Sequence, residues 1–496
     1  MTEGLLQDRR TLWFVAGLTI LLFALANLPW QLDDYDQAKQ AFTSFQMIKE
    51  GRWFYQQTPH EHVATKPPLV GWISASLFAI TRSWDLAWRL PSFLAAIAIA
   101  MLLLRAATSA YGAIPGLIAF GAFGLNLLSP RLATLVRTDM PLALVIFLIG
   151  LLIWQKIRAE TESRLPDQVY IFALLTVAML IKGPIVYAFL LPGIALNAVA
   201  VALWATRAPR AARRLQIWPT WWPWIASLCV FLLWVIGGIL FTPGFFDQVV
   251  IREFVARFGE TIHRPQPLYF YLPHLLHKFA PWSVLMIGVA IFDLASRRWR
   301  IGTAFREMSP ETFWLLCWSM GGLIAMSLIP SKRVDRIFPI VPPLCLLLAA
   351  QFGVRVGALR RPDAPAGRPY LAIAFAFAIF FTGGYTIVKV AFGYRDHSDA
   401  LVIFGRNVRH EAEAHRWRYE VVSANDEGLL LYLRKTHFIE PDRAVIEWNG
   451  GNLDALVASM ERVPALLGEL RDASLSSLKS NERKKEQGRD YVLITR

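Results

Sequence analysis

The stretch Leu12–Trp30, LWFVAGLTILLFALANLPW, runs directly into Gln31-Leu32-Asp33-Asp34-Tyr35-Asp36. An apolar run is thus followed at once by three carboxylates. A carboxylate costs roughly 2.5–3.5 kcal/mol at the centre of a bilayer helix, so this cluster belongs at or beyond a membrane boundary. Further on the chain reads Lys66-Pro67-Pro68-Leu69 and turns apolar again. An acidic cluster and a Lys-Pro-Pro turn therefore bracket the first polar loop, which suggests chemistry done at a membrane face.

Composition leads to the same class. The chain has 496 residues, 55% of them hydrophobic and 18% charged, and its mean hydropathy is +0.40. A soluble domain carries about 25% charged residues, so this is a polytopic membrane protein. The net charge is +14, but the basic residues punctuate apolar spans and form no single stripe. That pattern argues against nucleic acid as a partner. Cys229, Cys317 and Cys345 all fall inside apolar spans, so no loop disulfide is available to report the redox compartment. Arg9-Arg10, the apolar run and Ala24-Leu25-Ala26 also fit a cleavable signal peptide. The later spans, however, need this segment to put the acidic loop on the correct side.

Apolar segments lie at roughly 11–30, 67–81, 89–109, 113–129, 139–155, 168–181, 184–204, 221–241, 280–295, 312–329, 337–353 and 370–391. A spanning helix needs about 20 residues, and several of these are marginal, so charge must set the parity. Basic clusters mark the cytoplasmic side. They are Arg9-Arg10, Lys156/Arg158/Arg164, Arg207/Arg210/Arg213/Arg214, Arg297/Arg298/Arg300 and Arg355/Arg360/Arg361/Arg368. Working between these anchors places Asp139, Lys182, the 243–279 loop, the 331–336 loop and the chain after about 392 outside. The scheme closes if 67–81, short and opened by Pro-Pro, is a juxtamembrane helix on the outer surface. About eleven crossings then remain. In the alternative, 67–81 crosses and 113–129 is re-entrant.

From Tyr394 onward charges are frequent and apolar runs short. Tyr419–Ser423, Leu429–Leu433 and Tyr491–Ile494 read as strands, 399–414 and 453–470 as helices, and 472–489 as a loop or frayed helix. The expected architecture is a polytopic α-helical membrane domain over 1–392, with external loop 31–88, and a small external α/β domain over 393–496. No internal repeat is visible.

The candidate chemistry gathers in the external loops. Asp33 or Asp34 would N-cap the helix containing Gln37, Ala38 and Phe42, and would equally accept a proton or hold a metal. Asp139, in Arg137-Thr138-Asp139-Met140-Pro141, would cap the next helix, with Pro in the first turn. His60, His62 and His263 are external imidazoles. Lys66, Lys182, Arg257, Lys332 and Arg333 are external cations at span boundaries. Each could be snorkelling, but together with the carboxylates they suit an anionic ligand such as a phosphate.

In this order the pieces resemble the GT-C class of integral-membrane glycosyltransferases. They resemble in particular the family of aminoarabinose–lipid A transferases and galacturonosyltransferases, which is related to the protein O-mannosyltransferases. The motifs are Asp33-Asp34 followed by Gln37-Ala38, Gly51-Arg52-Trp53, Lys66 to Leu69 with Trp72, Arg89 to Ser92, Thr138 to Pro141 and Lys182 to Pro184. They continue with Arg257-Phe258 before His263, Tyr269-Phe270-Tyr271, Pro281-Trp282-Ser283 and Ser331 to Pro342. Gln37 replaces the usual aromatic, and Thr65 stands where the aminoarabinose transferases carry a glutamate associated with a metal.

The resemblance implies glycosyl transfer from a polyprenyl-phosphate-linked sugar to lipid A, a glycan or a protein, in a bacterial inner membrane with the site facing the periplasm. It implies Asp33 as general base, with Asp34 and Asp139 supporting. Lys66, Arg89, Lys182, Arg257, Tyr271, Lys332 and Arg333 would bind the donor. Any divalent metal ion would fall to Asp33, Asp139 and His263. A transporter or flippase of a lipid-linked sugar would instead show repeated halves and ionisable groups mid-span. A noncatalytic scaffold predicts no clustering of Asp33, Asp139 and His263.

Overall fold

The computed structural model describes residues 9–32, 35–60, 62–205, 221–255, 265–359, 368–424, 426–480 and 490–496. Its helices follow the apolar segments. They are α1 (Arg9–Leu25), α2 (Tyr35–Glu50), α3 (Leu69–Thr81), α4 (Trp84–Tyr111), α5 (Ala113–Gly124), α6 (Asp139–Ala159), α7 (Leu165–Lys182), α8 (Ile185–Ala205) and α9 (Trp222–Phe241). Then come α10 (Trp282–Ser296), α11 (Pro310–Leu328), α12 (Val341–Leu359) and α13 (Arg368–Arg395). Among the described residues eight helices are long and apolar enough to span a bilayer, or nine if Leu268–Lys278 and α10, bent by 103°, make one span. Of the three shorter apolar helices, α1, α3 and α5, the eleven expected crossings would need α1 and α5 but not α3.

Side-chain contacts fix the two ends of the bundle. At one end Tyr111 packs edge-on to Trp154 at 6.3 Å, Arg158 donates to the Ser109 carbonyl, and Lys156 pairs with Asp167 at 2.7 Å. At the other, Lys182 meets Asp139 and Arg137 meets Asp335. The helix α3 begins beside Lys66. It ends at Ser83-Trp84, where Trp84 stacks on Phe78 at 3.9 Å and meets Phe45 of α2 at 5.2 Å. Both its ends lie at the end that carries Asp139, so α3 does not cross the bundle. Pro67 and Pro68 cannot continue a helix back into the polar loop, which sets its start. Elsewhere small residues let backbones meet, as interhelical packing in a membrane favours. Where α8 and α11 cross, a Cβ on Gly321 would lie 2.2 Å from the Gly193 nitrogen.

The last hundred residues fold as α14 (Ala400–His415), β1 (Tyr419–Val421), α15 (Glu427–Leu433), α16 (Pro441–Asn449), β2 (Ala455–Ser459), α17 (Val463–Glu469), β3 (Ser474–Lys479) and β4 (Tyr491–Thr495). The sheet order is β1-β2-β4-β3, with β1 and β2 parallel and the other pairs antiparallel. Three expectations fail here. Leu429–Leu433 is helical, because every residue of α15 is buried and an all-round apolar run carries no period. Its start is set by Asp426, whose carboxylate accepts from the Gly428 N–H at 3.2 Å. The 453–470 helix is instead a buried strand followed by a short helix, since pairing on both edges of β2 overrides the helix preference of Ala and Leu. Residues 474–479 form an edge strand. Its mostly exposed Ser and Lys residues disguise it as a loop, and 481–489 lie outside the described residues.

This sheet does not fold apart from the bundle. Leu429 to Leu433, Val457 and Leu493 share one core with Leu32, Phe42 and Phe45, and with Trp84 and Trp88 at the start of α4. The Leu32 N–H donates to Tyr432 Oη at 2.5 Å. A Cβ at Gly428 would lie 2.6 Å from the Leu32 carbonyl oxygen, so only glycine allows that approach. His437 meets Glu50 at 2.8 Å, and His60 stacks on Phe438 at 5.2 Å.

Candidate active site

The end of the bundle that carries α3 also gathers the charges. Asp36 stands in the first turn of α2, where the amide dipoles favour an anion. It pairs with Arg333 and has Arg137 at 3.8 Å. Burial alone would raise its pKa. Lys66, Arg333 and Arg137 outweigh that and hold the carboxyl at about 2. Arg137 also donates to Asp335 at 2.8 Å, both side chains being buried, and Arg131 approaches the other Asp335 oxygen at 3.4 Å. Lys182, the last residue of α7, reaches Asp139, the first residue of α6, at 2.5 Å.

Segment 134–138 carries Arg137 into this group, and two motif residues hold it in place. Ser92, of the Arg-Leu-Pro-Ser motif, donates to the Leu135 and Arg137 carbonyls at 2.8 and 3.3 Å. Gln37, which stands where the related family carries an aromatic, accepts from the Val136 N–H at 3.2 Å.

Lys66 differs from its neighbours. Among the described residues no carboxylate comes within 4 Å of it. It still feels Asp36 and Asp139, but burial and the charge of Lys182 bring it down to about 8. Arg336 lies in the same field and donates to the Ser331 carbonyl at 2.8 Å. Tyr271, fully buried, stands beside Arg333 and Arg336. Among the described residues, six cations (Lys66, Arg131, Arg137, Lys182, Arg333 and Arg336) thus surround three carboxylates, Asp36, Asp139 and Asp335. Such an excess of positive charge suits a phosphate, and the guanidinium forks suit it best.

The structure therefore brings Asp139, Lys66, Lys182, Tyr271 and Arg333 together. Two expected residues stand elsewhere. Lys332 is turned away and donates to the Gln266 carbonyl at 2.9 Å. Arg89 is buried against its own helix through Asp85, with Trp30 over its guanidinium at 5.0 Å, and lines a separate cavity. Asp33, Asp34, Arg257 and His263 lie outside the described residues. Asp36, Arg131, Arg137, Asp335 and Arg336 were not expected in the site. For Asp36, Arg137, Asp335 and Arg336 the signal was position, a charge in or beside a quoted motif where charges are sparse; Arg131 carried no such signal.

Of the three metal candidates, only Asp139 lies among the described residues. Asp36 and Asp139 are each held by a cation, and Thr65 offers no carboxylate. Among the described residues no three His, Cys, Asp or Glu side chains stand close enough to share an ion. Asp33 and His263, two of the three residues to which a metal would fall, lie outside the described residues, and no step is routed through a metal.

In sequence and fold this chain is similar to integral-membrane glycosyltransferases of GT-C architecture. The model of the dolichyl-phosphate-mannose-protein mannosyltransferase family matches residues 65–237. The undecaprenyl phosphate-alpha-4-amino-4-deoxy-L-arabinose arabinosyl transferase of Photorhabdus laumondii is 29% identical over 131 residues, 26% of this chain and 22% of that protein. Its counterpart from Serratia proteamaculans is 31% identical over 137 residues, 27% of this chain and 23% of that protein. These matches span less than a quarter of the relatives' length. Across almost the whole chain, the fold is that of ArnT from Cupriavidus metallidurans, solved bound to undecaprenyl phosphate. The TM-score is 0.69 and the identity 17%, covering 97% of each chain.

Proposed function

We propose that this protein transfers a sugar from a polyprenyl-phosphate-linked donor to a lipid, glycan or protein acceptor at the outer face of the inner membrane. The observation that carries this reading is the excess of cations around Asp36 and Asp139 among the described residues, where Lys66 has no carboxylate partner. An isoprenoid tail would remain in lipid while its phosphate reached this headgroup-level cluster. Lys66 and Arg333 would then meet the phosphate oxygens, whose charge grows as the bond from sugar C1 to the phosphate oxygen breaks. Arg137 and Asp335 hold this array rigid, so little reorganisation accompanies the charge change.

Asp33 is proposed as the general base. It takes the acceptor's O–H proton as that oxygen attacks C1 from the face opposite the departing phosphate, with inversion. Asp34 and Asp139 act in support, Asp139 by fixing Lys182. The acceptors we propose include lipid A, and the site and the 393–496 domain face the periplasm.

The test is turnover of a polyprenyl-phosphate-sugar by purified protein. Asp33→Asn keeps much of the N-capping capacity but removes the base, so transfer should fall by at least about 100-fold with normal membrane expression. Near-normal turnover would reduce Asp33 to a helix cap. Movement of the intact lipid-linked sugar across the bilayer, without transfer, would establish the transporter reading instead.

A further inference from the structure

A cavity of about 780 Å³ opens between the first polar loop and the C-terminal sheet, and it shares no lining residue with the charge cluster. Ligand pockets commonly measure roughly 300–1,000 Å³. One wall is the loop tip, Pro59 and His60; the other is Glu420 of β1, Ser423, the segment 437–440 and α16. The loop is a closed hairpin. The Thr58 N–H donates to the His62 carbonyl at 2.6 Å, and the Ala64 N–H to the Gln56 carbonyl at 2.8 Å. Lys66 stands at its base. An extended chain gains at most about 3.6 Å per residue, so the Cα atoms of His60 and Lys66 lie within about 22 Å of each other.

The lining combines flat rings with acceptors. His60 and Phe438 both line the cavity and stack on each other, centroids 5.2 Å apart and planes at 28°. Around them, among the described lining residues, three carboxylates (Glu420, Glu440 and Glu447) stand against one guanidinium, Arg443. Glu440 accepts from Ser423 Oγ at 3.0 Å, and Lys435 meets one Glu420 oxygen at 2.9 Å. Glu447 accepts from the Asn452 amide at 2.8 Å and has Arg443 at 4.0 Å. A carboxylate offers roughly four lone-pair sites on two oxygens, so these partners leave each of the three with acceptor capacity to spare.

Neighbouring hydroxyls of a sugar donate to the two oxygens of one carboxylate, while the C–H face of the ring packs on an aromatic surface. An anionic sugar would meet like charge instead. We infer that this cavity seats an uncharged saccharide, the part of the acceptor that extends beyond the transfer site. The inference rests on the function proposed above and narrows it: of a lipid, a glycan and a protein acceptor, it selects a glycan of neutral sugars. Glu440 and the His60–Phe438 pair are specificity-determining residues, and the donor phosphate needs neither. One hairpin carries His60 at its tip and Lys66 at its base, so it fixes the spacing between the far part of the acceptor and the donor phosphate.

The full chain in nanodiscs would be titrated with three uncharged tetrasaccharides, maltotetraose, mannotetraose and N-acetylated chitotetraose. Tetragalacturonate and tetralysine serve as charged comparisons, and undecaprenyl phosphate is titrated separately, all read by native mass spectrometry. At least one neutral tetrasaccharide should bind about tenfold or more tightly than tetragalacturonate, as like-charge repulsion predicts. Glu440→Gln keeps an acceptor for Ser423 but removes the charge, and should weaken the preferred saccharide about threefold or more. His60→Ala, at an exposed loop tip, removes one ring of the stack and should weaken it by a similar factor. Both variants should bind undecaprenyl phosphate at the wild-type level.

Binding of none of the neutral tetrasaccharides overturns the inference, as does tetragalacturonate binding as tightly as the best of them. So does a saccharide affinity that neither variant changes, because the sugar then sits elsewhere. Binding of tetralysine with no saccharide bound would overturn it and mark the cavity as a peptide site. The two readings fail separately. A wild-type protein that binds undecaprenyl phosphate but no saccharide overturns this inference alone. One that binds the neutral saccharide through Glu440 and His60, yet no undecaprenyl phosphate, overturns the function proposed above and not the cavity's preference.

Discussion

At Lys66, burial and the nearby Lys182 bring the ammonium to about 8, close enough to neutrality for pH to matter. If this side chain meets the donor phosphate, affinity for undecaprenyl phosphate should be full near pH 6–7 and fall as pH rises through about 8, where Lys66 loses its proton. Lys66→Gln should lose tenfold or more in affinity, and with it that pH dependence; a titration between pH 6 and 9.5 would check both. Asp36 carries the opposite sign. Its folded carboxyl lies at about 2, below the ordinary value of 3.8, so its ion pairs stabilise the fold above that ordinary value. The contribution is lost as pH falls through about 2. Asp36→Asn should remove it, costing about 1–2 kcal/mol at neutral pH once solvent screening is allowed for. Acid unfolding of the two proteins, followed by tryptophan fluorescence, would show the difference disappear below pH 2. Both residues were visible in the sequence as charges beside apolar spans. That Arg333 rather than Lys66 would take Asp36 was not visible, because partner choice depends on which loops the bundle brings together.

Among the elements, the apolar spans were legible because a bilayer demands long apolar helices whatever they pack against. The sheet was harder to read. Leu429–Leu433 and Ala455–Ser459 are both short runs buried on all sides, and one became a helix while the other became a strand. Asp426 capping the first and the edges of β1 and β4 flanking the second decided the matter, and these are tertiary or near-tertiary facts. The helix α15 also holds Leu32 through Tyr432, immediately before Asp33-Asp34. Tyr432→Phe leaves the buried Leu32 N–H without its acceptor, at a cost of about 1–3 kcal/mol. Thermal unfolding should report that loss, and transfer should fall further than the loss of folded protein explains. Gly428→Ala, whose methyl would meet the Leu32 carbonyl, should destabilise by about 1–3 kcal/mol by the same measurement.

For the whole molecule, the arrangement puts Asp36, Lys66, Asp139, Lys182, Arg333 and the C-terminal sheet at one end of the bundle, with Lys156, Arg158 and Asp167 at the other. Read with the basic clusters, this predicts the orientation: an alkaline phosphatase fusion after Arg496 should be active and one after Arg213 inactive. The reverse pattern would invert the proposed orientation and the periplasmic placement of the site. The sequence by itself determined the membrane class, the helices and the ordered motifs that resemble a lipid-linked sugar transferase; it left open whether 67–81 crosses. It could do so because hydropathy and sparse charge act along the chain, residue by residue. Only the tertiary structure decided that Arg137 locks to Asp335 and Arg333 to Asp36. It alone turned Lys332 away from the cluster, set Arg89 and Lys389 around a second cavity, and merged the C-terminal sheet with Leu32 and α4 in one core. Those outcomes depend on distances between segments far apart in the chain, and side-chain ion pairs form only where packing has already brought such segments within a few ångströms.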